Sequence, residues 1–248
     1  MDYKKLVDHD NNYIAYRKLP GTKASIIFYG GFASNMNGTK ANAIYEYCKK
    51  NDIELVLFDY FGHGNSGGRF IDYTISDWHS NCIRIINELT YDKKIIIGSS
   101  MGGWLMLLTA ITFPERISAL IGISSAPDFT ENLIFEKLSK EQKEELYSNG
   151  IIDFISKHDK NCKYPITKNL IEDGRKHILL NEDIIDIKCP VRLLHSMSDK
   201  DVPYHTSLHL AEKIESTDVE VILTKGGGHN MSDQNSLEIL FRTLKEFI

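Results

Sequence analysis

The chain has 248 residues, of which 42% are hydrophobic and 10% aromatic, which suits a folded domain and excludes a disordered chain. Its formal net charge of −5 excludes the basic surface that a nucleic-acid partner would require. No apolar run approaches the roughly 20 residues of a membrane span, so stable membrane insertion is not expected.

The compartment is predicted from the first residues and from the cysteines. The first ten residues lack the apolar core of a secretory signal. The four cysteines are far apart, with no CxxC pair, so neither a zinc site nor a disulfide framework is implied; they are Cys48, Cys82, Cys162 and Cys189. These features predict a cytoplasmic protein.

The first half of the chain alternates strands and helices. Apolar runs predict strands at Tyr13–Leu19, Ser25–Tyr29, Ile53–Asp59, Ile95–Ile97 and Ile117–Ser124. Helices are predicted at about 39–50 and 74–89, the second with Ser76 or Asp77 as its cap, and after the Gly98–Gly102 turn. This alternation predicts an α/β fold with a mostly parallel sheet covered by helices on both faces.

The alternation stops between Ala126 and Ile187. About 60 residues there contain helical patches at 140–147 and 150–158 but no obvious buried strand. Ordinary crossovers are far shorter, so we predict that residues 126–187 form a helical cap inserted into a core of residues 1–125 and 188–248. A pair of connecting helices is the alternative.

The sheet resumes after the insertion. Strands are predicted at Cys189–His195 and Val219–Leu223, and helices at about 204–214 and 234–247. His205 and His209 share a helical face, yet no glutamate completes a zinc motif, and no metal site is predicted.

The pentapeptide Gly98-Ser99-Ser100-Met101-Gly102 has the pattern G-x-S-x-G. It follows an isoleucine-rich strand and precedes an apolar helix, which is the strand–turn–helix context of a nucleophilic serine. Glycines at 98 and 102 fit a place where strand and helix cross too closely for a Cβ atom. Ser100 is therefore the predicted nucleophile, and a glycine-rich loop that happens to contain serine is the alternative.

A serine hydroxyl needs a base, and the base needs an orienting carboxylate. In a fold of this kind the acid and then the base follow the serine on loops after late strands, which selects Asp199 and His229. His195 competes as the base and Asp201 as the acid, with Asp233 a weaker acid candidate.

Attack on a carbonyl creates an oxyanion that two N–H groups should stabilise. The backbone N–H of Met101 is one candidate, because it directly follows the serine. The other is the N–H of Phe32, behind Gly30-Gly31, with Ala33 as the alternative. These groups predict acyl transfer through an acyl-serine intermediate, without a metal or organic cofactor.

Several stretches of the chain carry a more specific resemblance. They are Gly31–Ala41, Phe58–Tyr60 with Gly62, Gly98–Met106, Ile187–His195, Val202–Ser207 and Ser216–Val219. With these stretches the chain resembles the α/β-hydrolase superfamily, and within it the abhydrolase-domain palmitoyl-protein thioesterases of mitochondria and their bacterial relatives. The family's nucleophile, acid and base fall on Ser100, Asp199 and His229.

The resemblance implies removal of long-chain acyl groups from cysteine thioesters of proteins, with related esterase and acyl-glucuronide deacylase activity. The expected substrate is therefore an S-acylated protein or a small acyl ester. Apolar residues that could line an acyl channel, unless they belong to the core, are Phe32, Phe129, Leu133, Ile134 and Phe135.

Two other functions stay open. A serine aminopeptidase of the same fold would hold a substrate amino group with acidic cap residues, for which Asp128, Glu131 and Glu136 are available. A non-catalytic receptor with this fold would usually lack a member of the catalytic group, whereas all three candidates are present.

Overall fold

A computed structural model describes residues 2–155 and 163–248 of the chain. Its strands are β1 Lys4–Val7, β2 Tyr13–Leu19, β3 Ser25–Tyr29, β4 Glu54–Phe58, β5 Lys94–Ser99, β6 Ile117–Ile123, β7 Ile151–Ile155, β8 Lys163–Thr167, β9 Val191–Ser196 and β10 Val219–Thr224. Eight of them form one sheet in the order β1-β2-β4-β3-β5-β6-β9-β10. β1 and β2 pair antiparallel, and β2 also runs antiparallel to β4. The other six strands of this sheet are parallel, as the alternation predicts; they are β4, β3, β5, β6, β9 and β10.

The helices connect these strands. They are α1 Thr39–Asn51, α2 Ile75–Leu89, α3 Met101–Thr112, α4 Lys140–Asn149, α5 Lys168–Gly174, α6 His205–Lys213 and α7 Gln234–Leu244. The cap of α2 is Thr74, which exchanges hydrogen bonds with Asp77 in a capping box, rather than Ser76 or Asp77 alone. Across the described residues, every helix is too short or too polar to cross a bilayer.

The sheet separates two apolar cores. One face packs on α2 and α3, where Trp78 and Trp104 are fully buried, and this core continues into the segment that follows β6. The other face packs on α1 and α7 through residues such as Ile44 and Leu240. The carboxyl ends of the parallel strands therefore stand at one edge of the sheet, where their loops meet.

The predicted cap segment differs from the sequence prediction in its secondary structure. The helical patch at 140–147 is confirmed by α4, but residues 151–155 of the second patch form β7, which pairs antiparallel with β8. Gly150 ends α4 with a left-handed φ of 77°, and a two-stranded sheet follows instead of a second helix. Residues 156–158 of that patch lie outside the described residues, as does Cys162.

Polar contacts fasten this segment to the rest of the chain. The buried Asp128 carboxylate accepts the N–H groups of Leu179 and Leu180 at 2.9 and 2.8 Å, which joins the two ends of the segment. Asp173 accepts the N–H and hydroxyl of Ser76, both at 2.8 Å, at the first turn of α2. The segment is thus anchored at its base and on one side, and its treatment as a separate cap stays a prediction.

Candidate active site

Ser100 lies at the sharp turn between β5 and α3. Its backbone has φ 54° and ψ −117°, a conformation that L residues rarely adopt. A Cβ on Gly102 would lie 2.1 Å from the carbonyl oxygen of Tyr29, and one on Gly98 would lie 2.5 Å from the carbonyl oxygen of Gly102. The two glycines therefore permit the strand–helix crossing that presents Ser100 above the sheet.

The predicted nucleophile, base and acid lie in one hydrogen-bonded line. Nε2 of His229 is 3.0 Å from Oγ of Ser100, and Nδ1 of His229 is 2.8 Å from Oδ2 of Asp199. A neutral imidazole that donates its Nδ1–H to the carboxylate leaves Nε2 free to accept the serine proton. The structure brings together residues separated by 99 and 30 positions in the chain, and their catalytic roles remain predictions.

The side chain of Asp199 is fully buried, but both of its carboxylate oxygens are hydrogen-bonded by other groups of the protein. Burial opposes its ionisation, but hydrogen bonds from His195 and His229 hold its pKa well below the usual value. The N–H groups of Asp201 and Val202 both donate to its Oδ1 at 2.9 Å. Asp199 is therefore an anion suited to steady an imidazolium.

The competing residues have other partners. His195 is buried on the far side of Asp199, where its ring contacts the Asp199 carboxylate at 3.2 Å and Oγ of Ser207 at 2.7 Å. Asp233 caps α7 by accepting the N–H of Ser236 at 3.1 Å. Neither residue occupies the position beside Ser100 that a base or its orienting acid requires.

Asp201 stays close to the hydrogen-bonded line. One ligand atom each of Asp199, Asp201 and His229 lies within 4.8 Å of the others, a spacing that could hold a cation. Asp199 and His229 are already hydrogen-bonded to each other, so a cation there would compete with the contact that orients the imidazole. The donor set fits an acid–base pair better than a metal centre.

The oxyanion candidates come from two segments next to Ser100, since Met101 follows it directly and a Cβ on Gly31 would lie 3.5 Å from its Cβ. Met101 is the first residue of α3, so its N–H has no acceptor within the helix. The N–H of Ala33, the alternative to Phe32, donates instead to Nε2 of His63 at 3.2 Å. The N–H of Phe32 has no such partner in the described part of the chain, which favours Phe32 over Ala33 as the second donor.

His63 was not singled out in the sequence. Its Nδ1 is 3.2 Å from the carbonyl oxygen of Phe61 and its Nε2 accepts from Ala33, which requires the neutral ring. Burial lowers the pKa of His63 to about 4, so the ring is neutral at pH 7. A histidine between two glycines, in the loop that follows a buried strand, is the sequence signal that could have indicated it.

Two cavities meet at Ser100 and His229. One, of about 210 Å³, is mainly apolar, and the rings of Phe32, Phe129 and Tyr164 stack edge-on at its wall. The other, of about 560 Å³, is lined by polar groups including Asn35, Lys40 and Ser232. The Ser100 hydroxyl thus lies between an apolar space and a polar one.

Most, but not all, of the residues predicted to line an acyl channel lie at the apolar cavity. Phe129, Leu133 and Ile134 all line the apolar cavity together with Phe32. Phe135 does not line it, because its ring contacts Tyr147 at a centroid distance of 6.2 Å.

The acidic residues considered for binding an amino group lie elsewhere. Asp128 is buried and accepts backbone N–H groups, and Glu131 pairs with Arg175 at 2.6 Å. Neither they nor Glu136 line either cavity, whereas Asp201 lines both.

Comparison with known proteins identifies the family. The family model described as "Hydrolase_4: Serine aminopeptidase, S33" matches residues 20–234. The chain belongs to this family of α/β hydrolases. It is 40% identical to the protein named "Palmitoyl-protein thioesterase ABHD10, mitochondrial" from Bos taurus over 235 residues, which are 95% of this chain and 76% of the relative. The relative of the same name from Homo sapiens matches with the same identity and coverage.

A solved structure agrees with this assignment. The alpha/beta hydrolase domain-containing protein 10 from mouse superposes with a TM-score of 0.91 at 36% identity, covering 99% of this chain and 98% of that one. The predicted α/β-hydrolase fold and the resemblance to palmitoyl-protein thioesterases are therefore confirmed, and the protein is a hydrolase.

The predicted cytoplasmic location is wrong. The relatives from Bos taurus and Homo sapiens are both named as mitochondrial, which points away from the cytoplasm. Unpaired cysteines indicate a reducing compartment but do not distinguish one reducing compartment from another. The absence of an apolar signal core bears on secretion alone.

Proposed function

We propose that the protein is a serine hydrolase that cleaves acyl thioesters and esters, with long-chain S-acylated proteins as its substrate class. The observation that carries the proposal is the Ser100–His229–Asp199 line opening directly onto an apolar cavity. The names of the mitochondrial relatives support the thioester specificity.

In the acylation step, Ser100 Oγ attacks the acyl carbonyl while Nε2 of His229 accepts its proton. Asp199 stabilises the imidazolium that forms and keeps it in the orientation set by the 2.8 Å contact. The N–H groups of Phe32 and Met101 receive the oxyanion, and each such donor contributes about 3 kcal/mol to the transition state. Collapse of the intermediate breaks the bond to sulfur, and His229 protonates the departing thiolate.

In the deacylation step, water replaces the thiol. His229 removes a proton from the water, whose oxygen attacks the acyl-serine carbonyl, and a second tetrahedral intermediate forms in the same place. Its collapse releases the carboxylic acid and returns the proton to Ser100. Both steps therefore need only water and the side chains and N–H groups named above.

Each of the two cavities suits a different part of the substrate. The apolar cavity suits an acyl chain, since burial of each methylene contributes about 0.8 kcal/mol. The polar cavity suits the leaving group, which in an S-acylated protein is a cysteine within a polypeptide. Because Phe129, Leu133 and Ile134 come from the segment 126–187, we propose that this segment is the cap that shapes the acyl site.

A fluorophosphonate probe tests the nucleophile. We expect stoichiometric labelling of the wild type and none of Ser100→Ala, with circular dichroism showing the same fold for both. Ser148→Ala is the matched control, because Ser148 is exposed on α4 and lines neither cavity. Labelling that persists in Ser100→Ala, or that is absent from the folded wild type, contradicts the proposal.

A substrate panel tests the class. S-palmitoyl peptides, acyl-CoAs, p-nitrophenyl esters and aminoacyl amides are compared by kcat/KM, and we expect thioesters with long chains to lead. Leu133→Trp fills part of the apolar cavity, so we expect at least about a tenfold loss with palmitoyl substrates and little change with acetyl ones. Preference for aminoacyl amides would instead identify an aminopeptidase, and an equal loss with both chain lengths would contradict the acyl role of this cavity.

A further inference from the structure

One buried cation lies next to the proposed catalytic group without a role in the steps above. Lys40 is the second residue of α1 and is only 9% exposed. A cation at the first turn of a helix is disfavoured by the helix dipole, and burial disfavours it further. An ammonium in this position requires specific partners.

Its partners belong to the two segments that carry the nucleophile and the base. Nζ of Lys40 donates to Oγ of Ser99 at 2.9 Å and to the carbonyl oxygen of Asn230 at 2.5 Å. Ser99 directly precedes Ser100, and Asn230 directly follows His229. A single side chain therefore links the residues adjacent to both reacting groups.

The segment before His229 needs such a link. Gly226, Gly227 and Gly228 precede the histidine, and the last two have left-handed φ values of 109° and 57°. Three successive glycines give the backbone wide freedom, so the imidazole position is set by contacts rather than by the local chain. Besides the hydrogen bonds of His229 itself, the N–H of Gly228 donates to Oγ of Ser198 at 3.3 Å, and Lys40 holds the carbonyl oxygen of Asn230 from α1.

We propose that Lys40 is a positioning residue that fixes the His229 loop against the nucleophile turn, so that Nε2 of His229 stays within hydrogen-bonding distance of Ser100 Oγ. This inference rests on the proposed function. It assigns Lys40 to the assembly of the catalytic group, acting through Ser99 and Asn230 rather than by touching the reacting atoms.

Lys40→Met tests the inference, because it keeps the length of the side chain and removes the ammonium. Lys49→Met, an exposed lysine on the same helix, is the matched control. We expect the melting temperature of Lys40→Met to change little, since the loss of two hydrogen bonds is offset by removal of the desolvation cost of a buried ammonium, and the Asn230 carbonyl keeps the Ser232 hydroxyl as a donor. Its fluorophosphonate labelling rate and its kcat should fall about 10- to 100-fold, with KM changed less than about threefold, because the defect is one of alignment.

A pH profile separates positioning from mere structural support. Burial lowers the pKa of Lys40 to about 8, while the charge of Asp199 opposes the shift. Among the described residues, the other titratable groups that line this cavity are His229, Asp201 and Tyr164. The charged form of Lys40 is the one that donates to both Ser99 and Asn230. Fluorophosphonate labelling of the wild type should therefore decline as the pH rises through about 8, the pKa of Lys40. Lys40→Met should lack this alkaline decline.

Two results overturn the inference. One is labelling of Lys40→Met at the wild-type rate; the other is an alkaline decline that survives in Lys40→Met. Failure of the proposed function is a different result, namely the absence of Ser100-dependent labelling in the wild type.

Discussion

His63 provides the most quantitative test of how the loop of Phe32, the proposed second oxyanion donor, is held. Its Nε2 accepts the N–H of Ala33, the residue after Phe32, and its Nδ1 faces the carbonyl oxygen of Phe61. His63→Leu removes both contacts, whereas His63→Gln keeps an acceptor of similar reach that does not titrate between pH 4 and 7.

Two magnitudes follow from these contacts. At pH 7, His63→Leu removes the acceptor of the Ala33 N–H, whereas the carbonyl oxygen of Phe61 keeps the indole N–H of Trp78 at 3.1 Å. The free energy of unfolding should therefore fall by about 0.5–1.5 kcal/mol. The pKa of His63 is lowered from 6.5 to about 4 by burial, which corresponds to about 3 kcal/mol of stability linked to the neutral ring.

The sign of the pH effect is fixed by which state binds the proton first. Because the folded-state pKa of His63 is the lower one, acidification protonates the unfolded chain before the folded protein. The wild type should therefore lose this stability as the pH falls from 6.5 to about 4. Neither variant has the titrating group, so both should lose less over the same interval.

Urea unfolding at pH 7, 6, 5 and 4 measures the free energy of unfolding of the three proteins, and p-nitrophenyl ester turnover at pH 7 measures their kcat. His79, whose pKa is also lowered to about 4, titrates in all three proteins and cancels in the comparison. We expect kcat of His63→Leu to fall about 10- to 100-fold and that of His63→Gln by less, since misplacement of one oxyanion donor costs part of its contribution. Stability curves of wild type and variants that run parallel from pH 7 to 4 would refute the reasoning.

Two further predictions concern the proposed nucleophile and its proposed acid. Asp199→Asn should lower kcat on the order of 10⁴-fold with the fold retained by circular dichroism, because an amide cannot stabilise the imidazolium; a loss below tenfold would exclude Asp199 as the acid. Gly102→Ala should lower the melting temperature and the fluorophosphonate labelling rate, since its Cβ would lie 2.1 Å from the carbonyl oxygen of Tyr29 and such overpacking costs about 1–3 kcal/mol. Gly226→Ala is the control, because nothing lies within 4 Å of the Cβ it would add, and equal effects of both substitutions would contradict the steric argument.

The predictable part of the molecule is the part that local pattern determines. The isoleucine run of β5, the glycines of the turn and the apolar α3 all follow from residue size and periodicity, and they locate Ser100. Asp199 and His229 follow from chain order once the fold class is assumed, because each comes after a strand of the parallel sheet.

The insertion was harder to predict because two short strands carry little periodic signal. Residues 151–155 form β7 through pairing with β8, and neither strand has a partner in the large sheet. A two-stranded ribbon depends on packing against its surroundings, so propensity alone does not determine it. The glycine at 150, which ends α4, was the local signal against a continuing helix.

His63 and Lys40 were missed for a different reason. Each acts on a segment that is distant in sequence: His63 on the Phe32 loop 30 residues earlier, and Lys40 on Asn230, 190 residues later. Such contacts arise only after the carboxyl ends of several parallel strands have been brought to one edge, and no periodicity records which loops then touch. Chain order can therefore name the groups that react, whereas the groups that hold them in place have to be read from the assembled loops.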